Sequence, residues 1–192
     1  MGFLSVLSFA HKLVSERMRP GEPAVDATTG NGVDTLFLAR LSGPKGCVYG
    51  FDVQEQALSN TRQRLAAEPE GQAPVHLFKL SHARLAEVIP DEHAGRLAAV
   101  MFNLGYLPGS GDERIITRPD STLPALNGAL SLLRPGGIVT VLLYPGHEGG
   151  AEECREVERW AAALPQEEWQ AVSYRFLNRA ETSPYAMAVV RK

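Results

Sequence analysis

Short apolar runs alternate with amphipathic stretches along almost the whole of this 192-residue chain. The apolar runs predict strands at residues 23–27, 47–51, 75–79, 97–103, 138–144, 169–177 and 186–191. Between them, apolar residues recur at helical spacing over 3–18, 34–41, 54–67, 82–88, 120–133 and 152–164. Pro20-Gly21 closes the first helix and Pro69 stops the third; the glycines of Arg134-Pro135-Gly136-Gly137 supply the exit of the fifth. Residues 104–118 keep no period and carry Gly105, Pro108, Gly109 and Gly111, which reads as a long loop. Strand–helix alternation of this kind implies an α/β fold: a mostly parallel, seven-stranded sheet with helices on both faces and a hairpin-like final pair. No repeat, linker or low-complexity segment interrupts it, so a single domain spans residues 1–192.

Ligands of such sheets gather at the carboxyl ends of the strands. That edge collects Asp26, Asp52, Ser81-His82, Asn103-Leu104-Gly105-Tyr106 and Tyr144-Pro145-Gly146-His147. The opposite edge (residues 42–46, 68–74 and 91–95) offers only simple polar connections.

The stretch from Val25 to Thr35, V-D-A-T-T-G-N-G-V-D-T, carries the most specific chemistry. It leaves a strand, passes Gly30 and Gly32, and enters a helix. About 20 residues later, Tyr49-Gly50-Phe51-Asp52 ends a second strand with an acid, the arrangement of a nucleoside-binding βαβ unit. Glycines at 30 and 32 let the backbone turn and approach a ligand, and Asp52 is placed to accept both hydroxyls of a ribose. A dinucleotide site uses GxGxxG to seat a pyrophosphate, and that pattern is missing here, which argues against an NAD-dependent oxidoreductase. Asp26 and Asp34 bracket the loop and suit the ammonium and sulfonium of S-adenosylmethionine.

Methyl transfer from a sulfonium is an in-line displacement that needs an acceptor lone pair aimed at the methyl carbon. Asn103, with a backbone carbonyl from Leu104 or Gly105, is placed to accept both hydrogens of an amine and so orient its lone pair. Tyr106 offers an aromatic face to a planar base or to the cationic methyl. The alternative at these positions is structural, with Asn103 capping the strand and Tyr106 packing a loop. His82 reads either as an N-terminal helix contact or as a neighbour of the adenine. His147 reads as scaffold, as a phosphate contact when protonated, or as the base for the departing amine proton. The histidines and cysteines show no ligand spacing for zinc, so no metal is expected.

Net charge is −3, with 19 basic and 22 acidic residues, so an RNA partner must rely on local basic groups. The candidates are Arg114, Arg118, Arg175, Arg179 and Arg191. Cys47 and Cys154 are far apart and read as reduced thiols of a cytoplasmic protein. The apolar start, residues 1–7, is interrupted by His11 and Lys12 too soon for a membrane span.

Taken together, D-A-T-T-G-N-G-V-D-T-L-F-L-A, G-F-D-V-Q, S-H, F-N-L-G-Y-L-P-G, Y-P-G-H and the late Phe176-Leu177-Asn178 resemble the small bacterial methyltransferases filed as putative rRNA methylases. That family is similar throughout to the enzymes that methylate the aminomethyl group of wobble 5-aminomethyl-2-thiouridine in tRNA. The resemblance implies a Class I (Rossmann-like) fold and S-adenosylmethionine as cofactor. The cofactor contacts expected are Asp26, Thr28, Gly30, Asn31, Gly32, Asp34, Thr35, Asp52, Gln54, Ser81 and His82, with Asn103, Gly105 and Leu107 also touching the cofactor. The resemblance places Asn103, Gly105, Tyr106 and Leu107 at the reacting centre, and Tyr144 and His147 on the acceptor side, with Asn178 close to the acceptor. The chain departs from the family at Pro108-Gly109-Ser110-Gly111-Asp112, one residue longer, and at Asn178-Arg179 and Ser183-Pro184. The expected partner is a tRNA anticodon stem-loop, and a homodimer is compatible with the family. The alternatives are an rRNA or small-molecule N-methyltransferase on the same fold, or a non-catalytic nucleotide-binding protein.

Overall fold

The computed structural model describes residues 2–68, 70–105 and 116–192. The elements run α1 (Val6–Ser15), β1 (Pro23–Asp26), α2 (Val33–Ser42), β2 (Cys47–Asp52), α3 (Glu55–Ala66) and β3 (Val75–Lys79). A 3-10 turn (His82–Arg84), α4 (Leu85–Val88) and a second 3-10 turn (Asp91–His93) lead to β4 (Leu97–Asn103). The chain continues through α5 (Pro119–Leu132), β5 (Leu133–Leu143), α6 (Gly150–Ala162), β6 (Trp169–Tyr174) and β7 (Tyr185–Arg191).

The seven strands form one sheet in the order β3-β2-β1-β4-β5-β7-β6. β1 to β5 are parallel, and β7 runs antiparallel between β5 and β6. A seven-stranded, mostly parallel sheet with an antiparallel final pair is what the alternation of elements predicts. β1 and β4 are adjacent, yet the chain leaves them toward opposite sides, so a crevice opens between their carboxyl ends.

Strand alternation divides the core in two. Val25, Phe51, Val100, Phe102 and Val141 face α4, α5 and α6, where Leu85, Leu126, Leu130 and Val157 close over them. Ala24, Val48, Met101 and Leu142 face the other way, under Val14 and Met18 of the α1 segment and Leu38 of α2. Both faces are covered, which is why the central strands read as continuous apolar runs.

Several boundaries differ from the sequence reading: β6 ends at Tyr174 where 177 is expected, α1 ends at Ser15 where 18 is expected, and three further differences have a local cause. α1 starts at Val6, because Ser5 is its N-cap and accepts from the Ser8 N–H at 3.1 Å; Phe3 and Leu4 stay outside and exposed. Residues 82–88 begin as a 3-10 turn, since Ser81 Oγ takes the Ala83 N–H at 3.3 Å and tightens the entry. Gly136 and Gly137 do not form the exit of α5. That helix ends at Leu132, and fully buried Leu133 is already extended and paired with Leu97. The glycines instead serve an irregularity in β5: the register jumps from Leu97↔Leu133 to Ala99↔Ile138, with Gly136 at φ 73°. A Cβ on Gly137 would come within 2.9 Å of the carbonyl oxygens of Arg134 and Leu97.

Candidate active site

A cavity of about 340 Å³ opens at the carboxyl ends of β1, β2 and β4, within the range of small-molecule sites. Its floor is the β1–α2 loop. Asp26 ends β1 fully buried, its Oδ1 accepting the Thr28 N–H (3.1 Å) and its Oδ2 the Thr35 hydroxyl (2.5 Å). Burial, and then the charge of Asp34, push the Asp26 carboxyl up to about 7, against the Thr35 hydrogen bond. Asp26 and Thr35 therefore form the support behind the cavity and do not line it.

Thr28, Gly30 and Asn31 do line it. Gly30 turns at φ 51° and Gly32 at φ 75°, conformations that suit glycine. Gly32 faces α3 and is not in the cavity wall: a Cβ there would meet Thr61 at 2.9 Å. α3 also holds the loop through Asn60, whose amide donates to Asn31 Oδ1 at 2.8 Å, and Arg64, whose Nε donates to the Asn31 carbonyl at 2.6 Å.

Asp52 stands at the tip of β2 with its carboxylate fixed by backbone donors, Gly30 N–H on Oδ2 (3.0 Å) and Gln54 N–H on Oδ1 (2.9 Å). Burial raises its pKa, and the N–H groups of Gln54, Gly30 and Val53 oppose that rise. Asp52 and Gln54 line the cavity, and a carboxylate has about four lone-pair sites for these three donors, so acceptor capacity remains.

Asp34, at the start of α2, lines the cavity although only 4% exposed. His11 of α1 reaches it across the sheet face: Nε2 lies 2.6 Å from Asp34 Oδ1, with the imidazole stacked on Phe37 (centroids 3.8 Å, 3°). Sequence reasoning did not find His11. It lies 23 residues from Asp34, on a helix whose pattern marks only its apolar face.

Ser81 and His82 line the wall at the end of β3. The His82 ring is buried, edge-on to Phe102 at 5.8 Å, and hydrogen-bonded to the backbone of Ala27. Burial pulls its pKa down to about 4, against that hydrogen bond, so it is neutral at pH 7. Its Nε2 is buried without a protein partner among the described residues.

The opposite wall is the tip of β4. Asn103 donates its N–H to Thr28 Oγ1 (2.6 Å), and its side chain hydrogen-bonds the Tyr144 phenol. Burial and the Asp34 charge push that phenol up, and the Asn103 side chain opposes that rise. Gly105 (φ 118°) sits against His147 and Tyr144: a Cβ there would lie 3.6 Å from His147 Nε2 and 3.9 Å from Tyr144 Cδ2. Gly105 and Thr117 exchange two hydrogen bonds, Gly105 N–H to Thr117 Oγ1 (2.8 Å) and Thr117 N–H to Gly105 O (3.0 Å). His147 Nδ1 lies 2.9 Å from the Glu148 carbonyl oxygen. A carbonyl only accepts, so Nδ1 carries the proton, and in the neutral ring Nε2 holds the lone pair. Tyr106 and Leu107 lie outside the described residues.

The segment between β6 and β7 reaches the same edge, since Tyr185 pairs with Leu143 and a Cβ on Gly146 would meet the Thr182 carbonyl at 3.0 Å. Exposed Asn178 lies in this segment and is not in the cavity wall. Arg118 at the N-cap of α5 is on this edge, as are Arg175, paired with Glu158, and Arg179, 4.2 Å over the Phe176 ring. Arg191 is not: its guanidinium donates to the Leu133 carbonyl at the opposite edge. Arg114 lies outside the described residues. Cys47 and Cys154 are thiols raised by burial, away from the cavity.

Residues 48–190 match the family described as "Putative rRNA methylase". The chain is 38% identical, over 177 residues, to the chloroplastic tRNA (mnm(5)s(2)U34)-methyltransferase of Arabidopsis thaliana, covering 88% of this chain and 64% of that protein. It thus spans about two-thirds of the length of the plant relative. A crystal structure from Clostridium thermocellum, described as a "putative rRNA-methylase", superposes over the whole of both chains with a TM-score of 0.91 at 36% identity. A Streptococcus mutans methyltransferase, solved in complex with SAH, superposes over the whole of both chains at 0.84 and 31%. The chain belongs to the rRNA methylase family and has its Class I S-adenosylmethionine-dependent methyltransferase fold.

Proposed function

We propose that the protein is an S-adenosylmethionine-dependent RNA methyltransferase whose acceptor is the aminomethyl nitrogen of wobble 5-aminomethyl-2-thiouridine in tRNA. The observation that carries this reading is the placement of Asn103 on the wall of the cavity that Asp52, Asp34 and His82 also line. The family, the name of the plant relative and the SAH-bound structural neighbour support it.

The residues fit the cofactor by their chemistry. A fixed carboxylate at Asp52 suits a ribose diol, and the orphaned His82 Nε2 suits an adenine edge. Asp34 supplies negative charge for the ammonium and sulfonium, while Asp26 holds the loop from behind. When bound, S-adenosylmethionine supplies an electrophilic methyl on a sulfonium.

On the acceptor side the Asn103 carbonyl takes one amine hydrogen. The Gly105 carbonyl already accepts from Thr117, which favours Leu104 as the backbone acceptor for the other. The amine lone pair is then the free direction. His147 Nε2 takes the proton that the methylated amine releases, and Tyr144 fixes Asn103. Tyr106, Leu107 and Asn178 complete the acceptor side in this reading. Arg118 and Arg179 meet phosphates of an anticodon stem-loop whose wobble base is flipped into the cavity.

The test is nucleoside mass spectrometry of tRNA from cells lacking the gene. Accumulation of unmethylated 5-aminomethyl-2-thiouridine is expected, and an unchanged tRNA profile with a missing rRNA methyl group would favour the second reading. That second reading, an rRNA methylase, is favoured by the family's description and by 30% identity over 89 residues to a ribosomal RNA small subunit methyltransferase H.

A further inference from the structure

Glu153, in the first turn of α6, is a carboxylate that no motif and no step above uses, yet it is only 3% exposed. Burying a charge without partners is costly, and both oxygens are engaged. Oε1 accepts the Thr122 hydroxyl at 2.7 Å, and Oε2 accepts the Thr117 hydroxyl at 2.8 Å. Thr117 is the residue that exchanges two hydrogen bonds with Gly105.

The direction of these bonds gives the carboxylate its role. A threonine hydroxyl has one proton and two lone pairs. An acceptor-only carboxylate claims the proton, which leaves Thr117 Oγ1 as an acceptor for the Gly105 N–H. Gly105 in turn stands at φ 118°, next to His147 Nε2 and the Tyr144 ring. Burial pushes the Glu153 carboxyl up, and the hydroxyls of Thr122 and Thr117 and the nearby His147 oppose that rise.

We propose that Glu153 is a positioning residue for the acceptor: acting through Thr117, it sets the Gly105 backbone and so the Asn103-Leu104-Gly105 turn that orients the amine. The proposal rests on the amine-holding reading of that turn. A glutamine at 153 offers one acceptor and one NH2, so it serves only one of the two threonines correctly. Valine at 117 removes the relay outright, whereas valine at 122 removes only the other arm.

The experiment measures single-turnover methyl transfer to aminomethyl-uridine tRNA at saturating cofactor, S-adenosylhomocysteine affinity by calorimetry, thermal midpoint, and amide exchange at Gly105. Glu153→Gln and Thr117→Val should slow transfer by about tenfold or more, the size expected for one lost orienting hydrogen bond. Both should speed Gly105 exchange while homocysteine-cofactor affinity stays within about twofold, a shift too small to reflect a lost contact. Thr122→Val should lower the thermal midpoint and leave the transfer rate near wild type. Wild-type transfer in Glu153→Gln and Thr117→Val, or equal losses in Thr117→Val and Thr122→Val, would overturn the proposal. If wild-type protein itself transfers nothing to this tRNA, the substrate reading fails instead. The exchange rate then decides, and unchanged Gly105 protection in both variants overturns the role of Glu153.

Discussion

The backbone N–H of Asn103 donates to the Thr28 hydroxyl oxygen at 2.6 Å, across 75 residues of sequence. This bond joins the tip of β4 to the loop that follows β1, two parts of the cavity lining. Thr28→Val should leave a half-buried N–H without its protein partner and cost about 1 kcal/mol of stability. It should also weaken cofactor binding and slow methyl transfer together, which calorimetry and single-turnover rates on one preparation will show.

Asp52→Ala should act on the cofactor and on the Gly30 turn that the carboxylate holds, and leave the acceptor side intact. Two backbone N–H groups hold the carboxylate toward the cavity, so its removal takes away charge-assisted hydrogen bonds to the ribose. The loss should be about 1.5–3 kcal/mol in binding, roughly 10- to 150-fold in Kd. Unchanged affinity would move the ribose contact elsewhere.

Asn103→Ala should do the reverse. The Asn103 backbone bond to Thr28 survives the substitution, and only the side chain facing Tyr144 and the acceptor is lost. S-adenosylmethionine affinity is expected to stay near wild type while the rate of the chemical step falls, since the lost contact orients the amine. A variant with a normal single-turnover rate would remove Asn103 from the mechanism.

Asp26 sets a pH dependence of stability. Its folded pKa of about 7 lies above the ordinary value of 3.8, so folding favours the protonated carboxyl. The stability it contributes is complete below about pH 4 and is lost as pH rises through 7. Urea midpoints of the cofactor-free protein should therefore fall across this window by more than those of Asp26→Asn. Parallel curves for the two proteins would show that Asp26 titrates normally.

Much of this architecture was legible because local signals and tertiary structure agree. The buried runs at β1, β2, β4 and β5 are apolar throughout because helices cover both faces, and Gly30 with Asp52 marks the switch between β1 and β4. Other parts were not legible, for physical reasons that differ. Gly136 and Gly137 look like a helix exit, but the pull of buried Leu133 toward Leu97 starts the strand first. Gly32 looks like part of a ligand cradle, whereas the close approach of Thr61 on α3 is what excludes a side chain there. His11 and Glu153 reach the site from helices distant in sequence, and polar residues on amphipathic helices read as solvated until the packing is known. Arg191 could be grouped with Arg175 by sequence, yet the antiparallel return of β7 carries it to the opposite edge.

The central claim is the acceptor, and one measurement tests it most directly. Purified protein is given S-adenosylmethionine labelled in the methyl group, with three acceptors offered separately: tRNA carrying unmethylated wobble 5-aminomethyl-2-thiouridine, rRNA, and small-molecule amines. Labelled 5-methylaminomethyl-2-thiouridine is expected in the tRNA, with transfer that weakens as salt rises and is absent from the other two. Efficient labelling of rRNA or of a small amine, with none in the tRNA, would contradict it.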